Sequence, residues 1–265
     1  GASIIAAQLI STGQMDRAFN PAGGLHHAAP DHASGFCVFN DPVIAIKYFL
    51  NLGWRVAYVD IDAHHGDGVQ NAYYDSDQVL TISLHESGRF LFPGTGEVAD
   101  LGVGKGRGYA VNLPLYPHTD DEIYLWAFRE IVPPLVRVFA PDVLVTQLGC
   151  DTHYRDPLTH LMLSLQGYSQ VVQELRPLAK RWLALGGGGY DIEVVARAWT
   201  LAYTIQLEKE LPPDIPQSFQ DKYGIKYLYD TEPVPPQPHR KQQAWQFSQR
   251  QVGDIKRLIF PLYSL

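Results

Sequence analysis

Apolar and polar positions along the chain follow two periods, and the switches between them lay out its elements. Residues 2–10 repeat their apolar side chains at helical spacing and stop near Gly13, while Asp41-Pro42 opens a second helix running toward Gly53. Four short, β-branched and mostly apolar runs, 54–59, 79–84, 142–148 and 182–185, read as strands. Between the second and third of these, Thr119 and Glu122 make a capping box for a helix that carries on to about Phe139, with a kink expected at Pro133-Pro134. Asp191 opens a further helix. Strands alternating with helices of this length predict an α/β fold, a single open and mostly parallel sheet covered by helices on both faces, because parallel neighbours need crossover connections.

From about Leu211 the pattern lapses. Pro212, Pro213, Pro216, Pro233, Pro235, Pro236 and Pro238 break helices, so an extended or linker-like stretch is expected there, with a closing helix over 244–255. This divides the chain into a main domain, residues 1–210, and a proline-rich C-terminal extension, 211–265, packed on or trailing it. Residues 102–108 read as a loop whose Gly-Lys-Gly lacks the spacing of a phosphate-binding P-loop.

Composition narrows the class. A chain of 265 residues, 46% hydrophobic and 18% charged, can bury one sizeable core. A formal charge of -7 without a Lys/Arg block argues against a direct nucleic-acid partner. No apolar run reaches the roughly 20 residues of a spanning helix, and the first residues lack the features of a signal peptide, so no membrane role is expected. Two distant cysteines, Cys37 and Cys150, make no disulfide framework, which fits a reducing, cytoplasmic setting. Both read as small buried hydrophobes.

The candidate chemistry lies just beyond the predicted strands, where open α/β sheets place their sites. The run Asp60-Ile61-Asp62-Ala63-His64-His65-Gly66-Asp67 begins as a strand end, whose period of two would point Asp60, Asp62 and His64 to one side. Asp62, His64 and Asp151 supply two carboxylates and one imidazole, a set suited to a catalytic Zn²⁺ and also acceptable to Fe²⁺ or Co²⁺. Two carboxylates would balance the charge of a divalent ion while leaving it a Lewis acid. A general base is then needed, and His26 and His27 in Gly23-Gly24-Leu25-His26-His27 are both candidates, with Asp60 and Asp67 as carboxylates able to orient them. Tyr190, ending the run Gly186-Gly187-Gly188-Gly189, is a candidate donor to a developing oxyanion. Taken singly, a His-His pair, a glycine run, or Phe36 and Phe92 read more simply as packing or turns; the joint pattern is what points to a site.

Those stretches, together with Ser34-Gly35-Phe36-Cys37-Val38-Phe39-Asn40-Asp41, Phe92-Pro93-Gly94-Thr95-Gly96 and 142–151, resemble the histone deacetylase family, in particular its class I-like bacterial branch of acetoin-utilisation deacetylases. The resemblance runs nearly continuously from Gly1 to about Tyr203. It implies an arginase/deacetylase-like fold and a zinc-dependent hydrolase that removes acetyl groups from protein lysines. Asp62, His64 and Asp151 become the zinc ligands, and His27 the general base and then acid. His26 becomes its electrostatic companion, Asp60 and Asp67 the buttresses of His26 and His27, and Tyr190 the group polarising the acetyl carbonyl. Phe36 and Phe92 would wall a tunnel, with the Gly35 carbonyl inside it and Leu158 at its rim. The resemblance also implies a potassium ion at Asp60, Asp62, His64, Ser83 and Leu84, and a second near Tyr73, Ser76, Val79 and Tyr109. Family members normally begin with a strand and several helices, bearing an acidic rim residue and a tunnel arginine, ahead of the segment that opens this chain; an N-terminally truncated family domain is therefore expected. Two further readings share these residues, an amidohydrolase of acetylated polyamines or other small amines, and an inactive acetyl-lysine binding module.

Overall fold

A computed structural model describes residues 1–235 and 237–265. Its strands are Arg17–Asn20 (β1), Val56–Asp60 (β2), Val79–Glu86 (β3), Ala110–Leu115 (β4), Val143–Gln147 (β5) and Trp182–Leu185 (β6). They form one sheet in the order β1-β6-β5-β2-β3-β4, every neighbouring pair parallel. The helices are Ala2–Ser11 (α1), Asp41–Asn51 (α2), Asp67–Ala72 (α3), Asp121–Phe139 (α4), Leu165–Leu175 (α5), Ile192–Gln206 (α6), Gln217–Tyr223 (α7) and Pro238–Leu258 (α8).

Strand alternation distributes the apolar side chains to two cores. Val56, Tyr58, Val143 and Val145 face α1 and α2, packing with Ala7, Ile10, Ile46 and Phe49. Their neighbours Ala57, Val59 and Leu144 face the other way, against Phe128, Ile131 and Leu135 of α4 and Val171 and Val172 of α5. Both faces are covered, so β2, β3 and β5 are buried at every position.

From β2 the chain moves outward to β3 and β4, then returns through α4 to place β5 on the opposite side of β2. The β2/β5 boundary is thus a topological switch point, where diverging connections leave a crevice at the strands' carboxyl ends.

Several elements differ from the sequence expectation. The short strands β1 and β4 and the helices α3 and α5 were not anticipated; β1 has only four residues, all half-buried at the sheet edge, too few to show a period. Asp120, rather than Thr119, caps α4, its side chain accepting from the Ile123 N–H at 3.2 Å while the Thr119 hydroxyl turns back to the Tyr116 carbonyl. Pro133 and Pro134 lie inside this helix. The proline-rich stretch is not simply extended, for α7 forms within it and ends at Gly224 with φ +72°. Pro238 starts α8, because a first-turn position has no N–H bond to lose. Pro236 lies outside the described residues. Leu228, Val252, Ile255 and Ile259 join the same core as α4, so the C-terminal segment is built into the domain. No helix among the described residues is long and apolar enough to cross a membrane.

Candidate active site

Strand β2 ends at Asp60, so pleating does not aim Asp62 and His64; the loop beyond it does. The Asp62 N–H donates to Asp60 Oδ1 at 3.1 Å and the His64 N–H to Asp62 Oδ1 at 2.9 Å, two successive side-chain-to-backbone turns that coil the segment over the switch point. Asp151, four residues past β5, accepts the Ala63 N–H at 2.8 Å and is thereby drawn to the same loop. Ligand atoms of Asp62, His64 and Asp151 all lie within 4.8 Å of one another. His64 Nδ1 stands 3.0 Å from Asp62 Oδ1 and 2.9 Å from Asp151 Oδ2. A Cβ at Gly149 would collide with the Asp62 carboxylate, and one at Gly188 with Asp151, so these glycines keep open the space around the carboxylates.

Electrostatics follow from this crowding. Burial alone would raise Asp62, but His26 and His64 outweigh it and hold its carboxyl well below the usual range. Asp151 is pushed upward, by burial first and by the Asp62 charge second. Burial disfavours a charged His64, yet hydrogen bonds to Asp151 and Asp62 raise it far above an ordinary imidazole. The three side chains thus hold protons in competition with one another, in a place where a divalent cation would compete for the same lone pairs.

The histidine pair stands above this cluster on the loop that follows β1. The start of α2 holds that loop. Asp41 accepts the Gly24 and Leu25 N–H groups, and Asn40 Nδ2 donates to the His26 and Ala28 carbonyls. His26 Nδ1 meets Asp60 Oδ2 at 2.7 Å and His27 Nδ1 meets Asp67 Oδ1 at 2.7 Å, with the two rings 4.0 Å apart between centroids. In neutral His27, a hydrogen on Nδ1 leaves Nε2 free to accept. The environments separate the pair. For His26, the burial penalty is overcome by Asp60 and Asp62, which carry it up to about 9. For His27, burial and the charge on His26 prevail and lower it.

A cavity of about 230 Å³ opens above these groups, lined by His26, His27, Asp62, His64 and the 35–37 and 187–190 segments. Gly35 has φ +50°, and a Cβ there would overlap the His27 ring. Phe36, also left-handed at φ +64° and 85% exposed, meets the Tyr190 ring edge-on at 6.1 Å. Phe92 instead lies edge-on to His27 at 5.1 Å, so the two phenylalanines contact different parts of the site. Phe92 and Leu158 are both exposed and stand outside the cavity lining. Tyr190 is raised, chiefly by burial and then by Asp62 and Asp151, and stays a neutral phenol. A larger apolar cavity of about 600 Å³ lies between α6 and residues 211–228 and holds none of the metal-ligating or histidine side chains.

Of the residues grouped for potassium, Asp60 and Ser83 are register partners on β2 and β3, and the Ser83 hydroxyl is bonded to His85 Nδ1 at 2.9 Å. The second group spans the end of α3 and the starts of β3 and β4. There the Tyr73 carbonyl accepts the Ser76 N–H, and the Tyr109 carbonyl accepts that of Thr81.

Other contributors carry no motif. Gln147, the last residue of β5, donates from Nε2 to Asp62 Oδ2 at 2.6 Å and accepts the Gly149 N–H. The Tyr58 hydroxyl donates to Asp60 at 2.7 Å. Asp156 accepts the Tyr190 N–H with one carboxylate oxygen and that of Leu158 with the other, each at 2.9 Å. The Thr159 hydroxyl donates to the Asp151 carbonyl. A polar amide closing a central, mostly apolar strand was the available signal for Gln147.

Fold and site together define an α/β protein with a candidate metal centre at the switch point of a parallel sheet. The histone deacetylase domain matches residues 1–205, and the chain belongs to that family. It is 44% identical over 225 residues to the acetoin utilization protein AcuC of Bacillus subtilis, covering 81% of this chain and 58% of that protein. To human histone deacetylase 1 it is 43% identical over 223 residues, covering 84% of this chain and 46% of that one. The chain thus spans about half the length of these curated relatives. A crystal structure of a histone deacetylase homologue from Aquifex aeolicus superposes with a TM-score of 0.86 at 33% identity, over 96% of this chain and 71% of that one. A structure of such a homologue complexed with SAHA matches equally well.

Proposed function

We propose that this chain carries the hydrolytic site of a zinc-dependent deacetylase acting on acetyl-lysine side chains of proteins. The observation that carries the reading is the convergence, around one cavity, of the Asp62-His64-Asp151 cluster, two His-Asp pairs and the Tyr190 phenol. The donor set fits the metal, since two carboxylates and one imidazole suit zinc and leave room for a further ligand. Bound there, zinc supplies Lewis acidity toward the amide carbonyl and lowers the pKa of a water molecule.

The chain's own groups divide the remaining work. His27, kept neutral, takes a proton at Nε2 from the attacking water and gives it to the amine nitrogen as the C–N bond breaks, while Asp67 stabilises the imidazolium through Nδ1. His26, charged through Asp60 and Asp62, offsets the negative charge that develops around the reacting carbonyl group and does not exchange its proton. The Tyr190 hydroxyl donates to the developing oxyanion. The Gly35 carbonyl orients the lysine amide, Phe36 and Phe92 flank its alkyl stem, and Leu158 belongs to the rim. Potassium at the two groups described above and a cytoplasmic setting are part of the same proposal.

A protein substrate is favoured over a polyamine because Phe36 stands 85% exposed at the cavity mouth, where an extended peptide can lie across it. The test compares kcat/KM for an acetyl-lysine peptide and for acetylated spermidine on zinc-loaded protein. A peptide preference is expected; a polyamine preference of about tenfold, or 1.4 kcal/mol, overturns the substrate assignment. Metal content tests the centre itself. About one zinc per chain is expected, and Asp151→Ala should lose it. Full retention by that variant removes Asp151 from the ligand set.

A further inference from the structure

Asp230 lies past the residues matched to the family, in the stretch whose prolines predict no structure, yet its side chain is only 5% exposed. Its carboxylate collects donors from three separate elements. Oδ2 accepts from His153 Nε2 at 2.9 Å and from the Leu165 N–H, at the start of α5, at 2.7 Å. Oδ1 accepts from the buried Arg197 guanidinium of α6 at 3.0 Å. The Asp230 carbonyl takes Gln166 Nε2 at 2.7 Å. Because the Arg155 N–H donates to His153 Nδ1 at 3.2 Å, the ring hydrogen sits on Nε2 and points at Asp230.

His153 stands on the loop that carries the candidate ligand Asp151 and the Tyr190 anchor Asp156. That loop is closed by the Tyr154 N–H bonding to the Leu163 carbonyl and the Leu163 N–H to that of Thr152. We infer that Asp230 is a positioning residue that, through His153, fixes the 150–165 loop and so places both Asp151 and Tyr190. The C-terminal segment is then part of the site's support, and truncating it would loosen the ligand set. Only the metal readout of this inference rests on the zinc reading.

The experiment compares Asp230→Ala and the better-tolerated Asp230→Asn with Trp245→Ala, which weakens the same segment at its contact with Trp126, away from the loop. Hydrogen exchange of the Tyr154 and Leu163 amides and zinc affinity by chelator competition are read on folded protein. Loss of Asp230 is expected to speed exchange at these amides by about tenfold and to weaken zinc by about 10–100-fold. Trp245→Ala at similar thermal destabilisation should do neither. Exchange in both Asp230 variants no faster than in Trp245→Ala overturns the inference, whether or not zinc binds. Faster exchange with unchanged zinc affinity overturns the link to the ligands. Absence of zinc binding by the unaltered chain instead overturns the metal reading and leaves exchange to decide the loop's anchor.

Discussion

At the scale of single residues, the site separates two chemically identical imidazoles by their surroundings. His26 is carried up to about 9 and His27 is lowered, so near neutrality the first is charged and the second is a free base. The pH dependence follows with a definite sign. kcat/KM should rise from the acid side as His27 loses its proton, with a midpoint below the ordinary imidazole value of about 6.5, and fall on the alkaline side of that value as His26 loses its own. A single limb without the alkaline fall would deny His26 an electrostatic part. His27→Ala should cost more activity than His26→Ala, and the opposite order would exchange their roles. Tyr190→Phe keeps the ring against Phe36 and deletes the donor, so kcat should drop by about 10²–10³ with metal content and stability unchanged. Steady-state kinetics at saturating acetyl-lysine peptide checks this, and an unaltered kcat would leave the phenol without a chemical role.

At the scale of elements, the strand ends and the loops after them form one bonded unit. Gly188 shows how tightly. Its N–H donates to Asp62 Oδ2 at 2.7 Å, and a methyl group on its Cα would strike the Asp151 carboxylate. Gly188→Ala should therefore displace Asp151 and lower zinc affinity by about 10–100-fold, the range seen when groups orienting metal ligands are disturbed. Competition with a chromophoric chelator measures it; unchanged affinity would mean that Asp151 has room to move without consequence. The sheet's alternation serves the same end, since Val56 and Tyr58 anchor one core and Ala57 and Val59 the other, leaving β2 no freedom to shift its register.

At the scale of the whole molecule, α8 lies along α4 and the β4 edge and buries Ala244, Ser248, Val252 and Ile255. Ile255 is fully buried in the larger core, so Ile255→Ala should destabilise the protein by about 2–5 kcal/mol, seen as a lower urea midpoint. A cost near zero would mean that the C-terminal segment folds against the domain without supporting it.

How much of the structure is encoded locally in the sequence follows from the range of the forces involved. The strands β2, β3, β5 and β6, the helices α1, α2 and α6, and the parallel α/β plan were legible because local apolar period and turn chemistry encode them. The residues of the candidate metal cluster, Asp62, His64 and Asp151, and of the His-Asp pairs were legible as residue types in dense motifs. Gln147, Tyr58, Asp156 and Asp230 were not, because each acts across a separation that no local pattern records; Asp230 meets His153 from 77 residues away. Tertiary structure alone decided that Asp62 and His64 are aimed by a coiled loop rather than a strand, that His26 and His27 differ in proton affinity, and that the proline-rich tail is part of the core. Burial and the summed field of distant charges settle such matters, and both exist only once the chain has folded.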